Sequence, residues 1–432
     1  MQYTLSAPLT CGPLDPVRLA RVLSALEPGV SVPTLAGPTH VPLRALPALF
    51  AAIPDPRTAK GRRFPLPAVL AAVLAALLSN HRSQLAAAEW LADQAPTAQR
   101  ALGFSPTHGT PHQSTINRLL ARLEPTYLAT ALHQFLDPPT ADPRPRGSQG
   151  VALDGKAQRG RLRFTPPAPG VSAIHEVAAY THDTGTVLAA VPVTSTANKP
   201  AAELNTAPQL LVQVDWRGRV LTGDALWCQC NLCAAVVEAD GDYLVTVKAN
   251  QGHLLDCLQR WFAPTRPRAH GWAPVAVEQR ETATCERAQG RYEVRFLAAT
   301  AELAGVLDWP HLAQAFMVIR SWEAHGQVHQ EIHWGVTSLP ATVADMERLL
   351  ELRRGHWRIE NGLHYVKDVT LGEDASLVHR GQGPAVMSLL RDGVVSLLHA
   401  AGHQQIAARL RYHSRHPEAA LALLGITLAE NA

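Results

Sequence analysis

Apolar residues recur at every third or fourth position from Val41 to about Leu136, a spacing that predicts amphipathic helices. The segments LPALFAAI, LPAVLAAVLAALLS and SQLAAAEWLADQA show this spacing in turn, with Pro and Gly between them. STINRLLARL continues it, with Ser114 or Thr115 as the expected helix N-cap. We therefore predict an all-helical domain over residues 43–137, preceded by a Pro- and Gly-rich flexible arm over 1–42.

After a Pro-rich linker at 138–149, the period changes from helical to alternating. GVALDG is typical of a short strand, and a hairpin that turns at Asp183-Thr184-Gly185 is expected next. Helical and strand patterns then alternate, which predicts a mixed α/β core over 150–265 and 340–400. A β-rich insertion is predicted over 266–339 and a helical tail over 401–432. Within the core, a long helix is predicted from about Thr342 to Lys367.

Composition restricts the class of protein without choosing a function. Hydrophobic residues make up 47% of the 432 residues and charged residues 17%, as in folded soluble proteins. The net charge of +3 is compatible with nucleic-acid binding but does not decide it, because a DNA-binding face can be local. The six cysteines do not suggest a disulfide scaffold, and the first residues lack the pattern of a signal peptide. The most apolar stretch, Ala68–Ser79, is too short to cross a bilayer, so we expect a cytoplasmic protein with no membrane role.

Two aspartates occur where strand patterns end. Asp154 closes the first predicted strand and Asp224 the fourth, 70 residues later. Phosphodiester transfer uses two divalent ions about 4 Å apart, and such hard cations prefer oxygen ligands. Carboxylates from neighbouring strands would meet at one edge of a sheet and hold these ions. Either aspartate alone is a weak signal, since Asp at a strand end is commonly a turn or cap residue.

A third acid is expected from the predicted long helix. Glu360 lies four residues after His356 and seven before Lys367, so that all three share roughly one helical face. Helical spacing alone does not select Glu360 over the acids that follow it, which are Asp368, Glu373 and Asp374.

The text around these acids resembles a known family. RGHWRIENGLHYVKDVTLGEDAS (354–376), VALDGKAQRG (151–160) and LTGDALWCQCNLCAAVVEADGDYLVTVKANQG (221–252) are similar to motifs of bacterial insertion-sequence DDE transposases. The helical N-terminal text is similar to the accessory domain that accompanies such cores. The resemblance implies an RNase H-like fold, with Asp154, Asp224 and Glu360 as catalytic metal ligands.

The same resemblance implies cofactors and partners. The cofactors would be two Mg²⁺ (or Mn²⁺) ions, and the substrate would be double-stranded DNA, as transposon terminal inverted repeats and as target. A homodimer on DNA and association with the nucleoid are also implied. Related transposases often carry Tyr and Arg seven and four residues before the catalytic Glu, and Lys seven after it. Here these positions hold Arg353, His356 and Lys367, so that only the lysine matches that wider pattern.

Several polar and basic residues are predicted to bind DNA, because cations near the acids would hold phosphates. They are Lys156, Arg159, Lys248, Asn250, His356 and Lys367 in the core, and Arg57, Arg62 and Arg63 in the helical domain. Plain packing is the alternative for the helical domain. In the insertion, aromatic residues interleaved with arginines, such as Arg320 and Trp322, are candidates to stack on a flipped base, with sheet packing as the alternative.

Two other functions remain open at this stage. One is a metal-dependent nuclease on the same fold that cuts DNA without joining it, and the other is a catalytically silent DNA-binding derivative of a transposase. A zinc site at Cys228, Cys230 and Cys233 is not expected, because the C-x-C-x-x-C spacing lacks a clear fourth ligand.

Overall fold

A computed structural model describes residues 46–138, 144–158, 175–193, 199–263, 280–288, 291–324 and 327–428. The predicted N-terminal arm, part of the predicted linker and Arg159 lie outside these residues.

The described residues form two compact units. The helical unit contains residues 46–138, 151–158, 175–193, 199–215 and 357–428. The sheet unit contains residues 144–150, 216–263, 280–288, 291–324 and 327–356. Packing therefore places the N-terminal helices in one unit with the first strands and the C-terminal helices. The domain bounds drawn from sequence pattern divide the chain differently, and they stay a prediction.

The helical unit combines an N-terminal helical region, a strand meander and C-terminal helices. Its elements are α1 (Leu46–Phe50), α2 (Leu66–Leu78), α3 (Gln84–Ala92), α4 (Pro96–Ala101), α5 (Gln113–Leu120), α6 (Pro125–Leu136), β1 (Gln149–Ala157, of which the first two residues belong to the sheet unit), β2 (His175–Thr181), β3 (Val187–Val193), α7 (Lys199–Leu211), α11 (Gly383–Ala400), α12 (Ile406–His413) and α13 (Pro417–Leu423). One hydrophobic core joins α2, α6 and α11 with side chains of β1, β2 and β3.

Helix α2 is the centre of that core, as its composition predicts. Every residue of Leu66–Leu78 except Pro67 is buried. The helix ends where Asn80 adopts a left-handed conformation (φ 67°), which Asn tolerates better than most residues. The stretch Ala59–Leu78 is long and apolar enough to cross a membrane, but 72% of its most apolar window is buried inside the protein, as in the core helix of a soluble protein.

Helix α5 begins two to three residues earlier than predicted. Its N-cap is His112, whose Nδ1 accepts a hydrogen bond from the Ser114 amide at 3.2 Å, and neither Ser114 nor Thr115 is the cap. An imidazole nitrogen here takes the part that a hydroxyl or carboxylate oxygen usually has, which the sequence pattern does not reveal.

Strands β1, β2 and β3 form an antiparallel meander. Asp154 pairs with Ala178 and Lys156 with Glu176, and β2 pairs with β3 through Ala178 and Ala190. The predicted hairpin turn is confirmed: Gly185 has φ 67°, a conformation that glycine adopts without steric cost.

The sheet unit is built on a mixed sheet. Its elements are β4 (Arg219–Gly223), α8 (Cys230–Glu238), β5 (Asp242–Val247), α9 (Gly252–Trp261), β6 (Arg280–Ala288), β7 (Arg291–Thr300), β8 (Gln314–Ala324), β9 (Gln327–Thr337) and α10 (Met346–Gly355). Strands β4 and β5 are parallel, and β5, β9, β8, β7 and β6 follow in antiparallel order. Three antiparallel strands followed by alternating helices and strands confirm the predicted mixed α/β fold class, with a β-rich insertion and a helical N-terminal region.

A glycine in β9 permits close packing of the central strands. Gly335 pairs with Phe316, whose fully buried ring lies directly over it. We expect Gly335→Ala to lower the free energy of unfolding by about 1–3 kcal/mol, because the added Cβ overlaps a ring that has no room to move. Urea denaturation measures this loss. Gly252→Ala is the matched control, since a Cβ there meets nothing within 4 Å, and equal effects of both substitutions would contradict the explanation.

Candidate active site

Asp154 lies within β1 and not at its end. The strand continues to Ala157, because Gly155 and Lys156 keep the ladder with Val177 and Glu176. The predicted strand end is therefore wrong by three residues. The Asp154 side chain is 26% exposed, and its Oδ1 accepts a hydrogen bond from the Gly155 amide at 2.8 Å.

Glu360 lies on a helix that changes its winding. The predicted helix from Thr342 begins only at Met346, because Asp345 is the N-cap and accepts a hydrogen bond from the Arg348 amide at 2.8 Å. From Glu360 to Thr370 the backbone is mostly π-helical, in two stretches at Glu360–His364 and Val366–Thr370. We call residues 360–370 the π segment. Segments of this kind are rare and occur frequently at functional sites.

The π segment brings two side chains to Asp154. His364 Nδ1 is 3.5 Å from Asp154 Oδ2 and 3.5 Å from Glu360 Oε2. His364 is only 7% exposed, whereas half of the Glu360 side chain is exposed. The sequence reasoning missed His364, although its position four residues after Glu360 would have been the signal to look for.

The chemistry of these groups fits a divalent cation. One ligand atom from each of Asp154, Glu360 and His364 lies within 4.8 Å of the other two, the one such His/Cys/Asp/Glu group among the described residues. Two ligands of one Mg²⁺ lie at most about 4.2 Å apart, so that small side-chain rotations would bring the three atoms onto one ion. Carboxylate oxygens suit Mg²⁺ and Mn²⁺, and an imidazole nitrogen is more readily accepted by Mn²⁺.

The neighbouring acids that compete with Glu360 have other partners. Asp368 Oδ1 is 2.5 Å from Lys156 Nζ, and Glu373 Oε2 is 3.1 Å from the same nitrogen. Neither belongs to the group around Asp154.

Asp224 is described within the sheet unit, where it follows β4 directly. Its Oδ1 accepts a hydrogen bond from the Leu226 amide at 2.9 Å, which caps the turn Ala225–Trp227. Asn250 and Gln251 brace the same turn by donating to the carbonyl oxygens of Ala225 and Cys228, at 2.6 and 2.9 Å. The Asn250 amide thus has an internal partner, and because Asn250 is exposed its DNA contact stays a prediction.

Arg353 is the cation that faces Asp224. Burial lowers the pKa of Arg353, and the charge of Asp224 opposes that shift. Position 353, where related transposases often have Tyr, here supplies a positive charge to the second predicted metal ligand.

Comparisons with known proteins identify the family of the chain. Residues 145–391 match the family model of the transposase DDE domain, and residues 48–136 match that of the DDE_Tnp_1-associated domain. The chain belongs to the DDE transposase family. The transposase is 28% identical over 259 residues to the putative transposase YncI of Escherichia coli O157:H7, which covers 57% of this chain and 61% of the relative.

Two further proteins are similar to the chain. The H repeat-associated putative transposase YhhI of Escherichia coli K12 is 25% identical over 300 residues, 67% of this chain and 74% of the relative. A cryo-EM structure of the piggyBac transposase synaptic complex with hairpin DNA aligns with 89% of this chain and 77% of its own, at 12% identity and a TM-score of 0.37.

Four of the predicted DNA contacts of the transposase are buried. Lys367 is fully buried, and Lys156, His356 and Arg57 are 6%, 7% and 8% exposed. Arg57 donates to Asp55 and to the Phe64 carbonyl, and thereby shapes its own loop. Spacing along a helix or strand does not reveal which face packs inward, and this is why the prediction differs from the structure. Lys248, Arg62 and Arg63 are exposed.

The two buried lysines belong to a cluster that we call the buried ion group. Its members are Lys156, Glu176, Lys367, Asp368, Glu373, Ser388, Arg391 and Asp392. Lys367 Nζ donates to Glu176 and to Ser388 Oγ at 2.7 Å, and lies 2.6 Å from Asp392 Oδ1. Arg391 is 3.2 Å from Glu373 Oε1, which also accepts a hydrogen bond from Ser388 at 2.9 Å.

Protonation in this group follows from burial and pairing. Burial opposes the charge on Lys367, but Asp392, Glu176 and Glu373 raise its pKa overall. Burial likewise opposes ionisation of Glu373, but Lys367, Arg391 and Lys156 lower its pKa to about 2. Burial and the nearby Glu176 raise the pKa of Asp392, so that Asp392 is the carboxyl best placed to carry a proton.

Trp322 in the insertion packs on neighbouring side chains of the sheet. Trp322 stacks on His329, with ring centroids 5.4 Å apart, and the Arg320 guanidinium lies 4.7 Å from the Trp322 ring centroid. Arg320 also pairs with Glu293. These contacts match the alternative of sheet packing.

The cysteine cluster forms no metal group among the described residues. Cys228 and Cys233 are buried while Cys230 is exposed, and burial raises the pKa of Cys228 to about 12.

Mn²⁺ is expected to raise the melting temperature of the transposase, because binding to the folded state alone stabilises it by about 2.7 kcal/mol at one hundred times Kd. Asp154→Asn and His364→Phe should each remove most of this shift in a thermal-denaturation assay. Asp256→Asn, at an exposed carboxylate on α9, is the control. A shift of the same size in all variants would place the ion elsewhere.

Gly362 allows the π segment to lie against β2. A Cβ at this position would overlap Tyr180 Oη, and the Tyr180 side chain is buried. Gly362→Ala should therefore lower stability by about 1–3 kcal/mol and weaken Mn²⁺ binding. Tyr180→Phe removes the obstructing oxygen, so the double variant should regain part of both losses. Additive losses in the double variant would rule out this contact as the cause.

Proposed function

We propose that this transposase cleaves DNA strands at the ends of its insertion sequence and joins the freed ends to new DNA. Asp154, Asp224 and Glu360 are the proposed ligands of two Mg²⁺ or Mn²⁺ ions. The observation that best supports this proposal is the meeting of Asp154 and Glu360, which lie more than 200 residues apart in sequence yet share His364 as a neighbour.

The chain's own groups have distinct tasks in this proposal. Asp154 and Glu360 supply the negative charge that holds cations, and His364 offers a nitrogen ligand from the protected side of the site. Arg353 offsets the charge of Asp224. When bound, the two ions would activate the attacking oxygen and stabilise the leaving oxygen.

The reaction would proceed by two displacements at phosphorus. In the first, the oxygen of a water molecule bonds to the phosphorus at the element end, the bond to the 3′ oxygen breaks, and that oxygen gains a proton. In the second, the resulting 3′-hydroxyl loses its proton and bonds to a phosphorus of the opposite strand or of target DNA, where another 3′ oxygen leaves. In the first step the water loses a proton and the phosphodiester becomes a phosphomonoester, in the second step one phosphodiester bond replaces another, and neither step requires an oxidant or reductant.

Exposed cations are the proposed phosphate contacts. Lys248 lies just beyond β5, and Arg62 and Arg63 lie in the loop before α2. Arg57 is proposed to shape this loop, since Arg62 Nε donates to the Arg57 carbonyl at 2.9 Å. Arg159 remains a predicted contact. Terminal inverted repeats and target DNA are the proposed substrates, and a homodimer on DNA at the nucleoid is the proposed assembly.

Cleavage of DNA that carries the element's flanking inverted repeats tests the proposal. Asp154→Asn, Asp224→Asn and Glu360→Gln should each slow Mg²⁺-dependent strand cleavage by about a thousandfold or more, because each removes several kcal/mol of transition-state stabilisation. Asp256→Asn is the control with unchanged cleavage. Undiminished cleavage by the three variants would refute the site, and cleavage without strand-transfer products would indicate a nuclease that does not join.

A further inference from the structure

The two elements that carry Asp154 and Glu360 are joined by buried ion pairs. Lys156, two residues after Asp154 on β1, binds Asp368 in the π segment and Glu373 just after it. Because strand side chains alternate, Lys156 and Asp154 point to the same face of β1. These first ion pairs therefore join β1, which carries Asp154, to the π segment, which carries Glu360.

A second set of ion pairs starts from the π segment itself. Lys367 binds Glu176 on β2, and Glu176 is the cross-strand partner of Lys156. Lys367 also contacts Ser388 and Asp392 on α11. The π segment is thus held to β1, β2 and α11 through the buried ion group.

Lys367 is not placed to contact a phosphate. Its side chain is fully buried, and a phosphate contact would require it to leave Glu176, Asp392 and Ser388. Leaving those carboxyls buried and unpaired is strongly destabilising. A buried ion pair usually adds little net stability compared with apolar residues of the same size. We therefore attribute to these ion pairs the role of fixing the geometry of the elements that they join.

We propose that Lys367 and Lys156 are positioning residues, which hold Asp154 and Glu360 at the separation that binds metal ions, and that neither contacts DNA. This inference rests on the proposed function, because it takes Asp154 and Glu360 as metal ligands. The physical reason is the same as for groups that orient metal ligands elsewhere, whose removal weakens metal binding although they do not touch the ion.

The test uses the full chain and two separate titrations. Lys367→Met is combined with Glu176→Gln, so that a cation and a carboxylate disappear together and no charge stays buried alone. Mn²⁺ affinity is measured by calorimetry, and affinity for a DNA duplex is measured by fluorescence anisotropy in EDTA. Arg146→Met is the matched control, since it breaks a different ion pair, the one between Arg146 and the buried Asp242 of the sheet unit, whose charged atoms are 2.9 Å apart.

We expect the double variant to bind Mn²⁺ about 10- to 100-fold more weakly and to bind DNA within about twofold of the wild type. Arg146→Met should lower stability and leave Mn²⁺ affinity unchanged. Ser388→Ala keeps every charge and removes only the hydroxyl between Lys367 and Glu373. This variant should weaken Mn²⁺ binding less than the double variant does, and it replaces the double variant in the test if that one does not fold.

Three results would overturn the inference. Unchanged Mn²⁺ affinity in the folded variant would show that these ion pairs do not set the site. Weaker DNA binding with unchanged Mn²⁺ affinity would return Lys367 to a phosphate contact. Absence of Mn²⁺ binding by the wild-type chain would overturn both this inference and the proposed metal site, whereas the first two results leave the proposed function standing.

Discussion

The helical unit depends on charges that are buried inside it. A buried ion is tolerated only when opposite charges and hydrogen bonds surround it, so each member of the buried ion group fixes the place of its neighbours. Lys156, Lys367 and Arg391 face four carboxyls, and the raised pKa of Asp392 favours one neutral acid and balanced charge. Because these residues come from β1, β2, the end of the π segment and α11, none of these elements moves without disturbing the others.

That constraint explains how the predicted ligands meet. Glu360 is half-exposed and carried by a helix with unusual winding, which by itself would leave its position loosely defined. The segment is anchored at Lys367 and Asp368, and Gly362 lets it approach Tyr180 closely. Exposure at Glu360 therefore coexists with a fixed supporting structure, as the proposed metal and DNA site requires.

Much of this molecule is predictable from its sequence. Apolar periodicity identifies the buried helix α2 and the mixed α/β pattern, and Asp224 follows its strand as expected. The assignment of Glu360 as the third acid rests on family resemblance, because helical spacing alone does not select it over the acids that follow it. The sequence does not reveal the π winding that aligns His364 with Glu360, nor the burial of Lys156 and Lys367. The burial of both lysines involves partners that are distant in sequence, Asp368 for Lys156 and Glu176 for Lys367, and apolar period alone does not reveal them.

The most direct test of the central claim is the anomalous diffraction of Mn²⁺ in crystals of the transposase bound to its cleaved end DNA. We expect a Mn²⁺ peak within about 2.3 Å of a carboxylate oxygen of both Asp154 and Glu360, with Lys367 still buried inside the protein. A peak at other acids, with Asp154 and Glu360 apart, would contradict it.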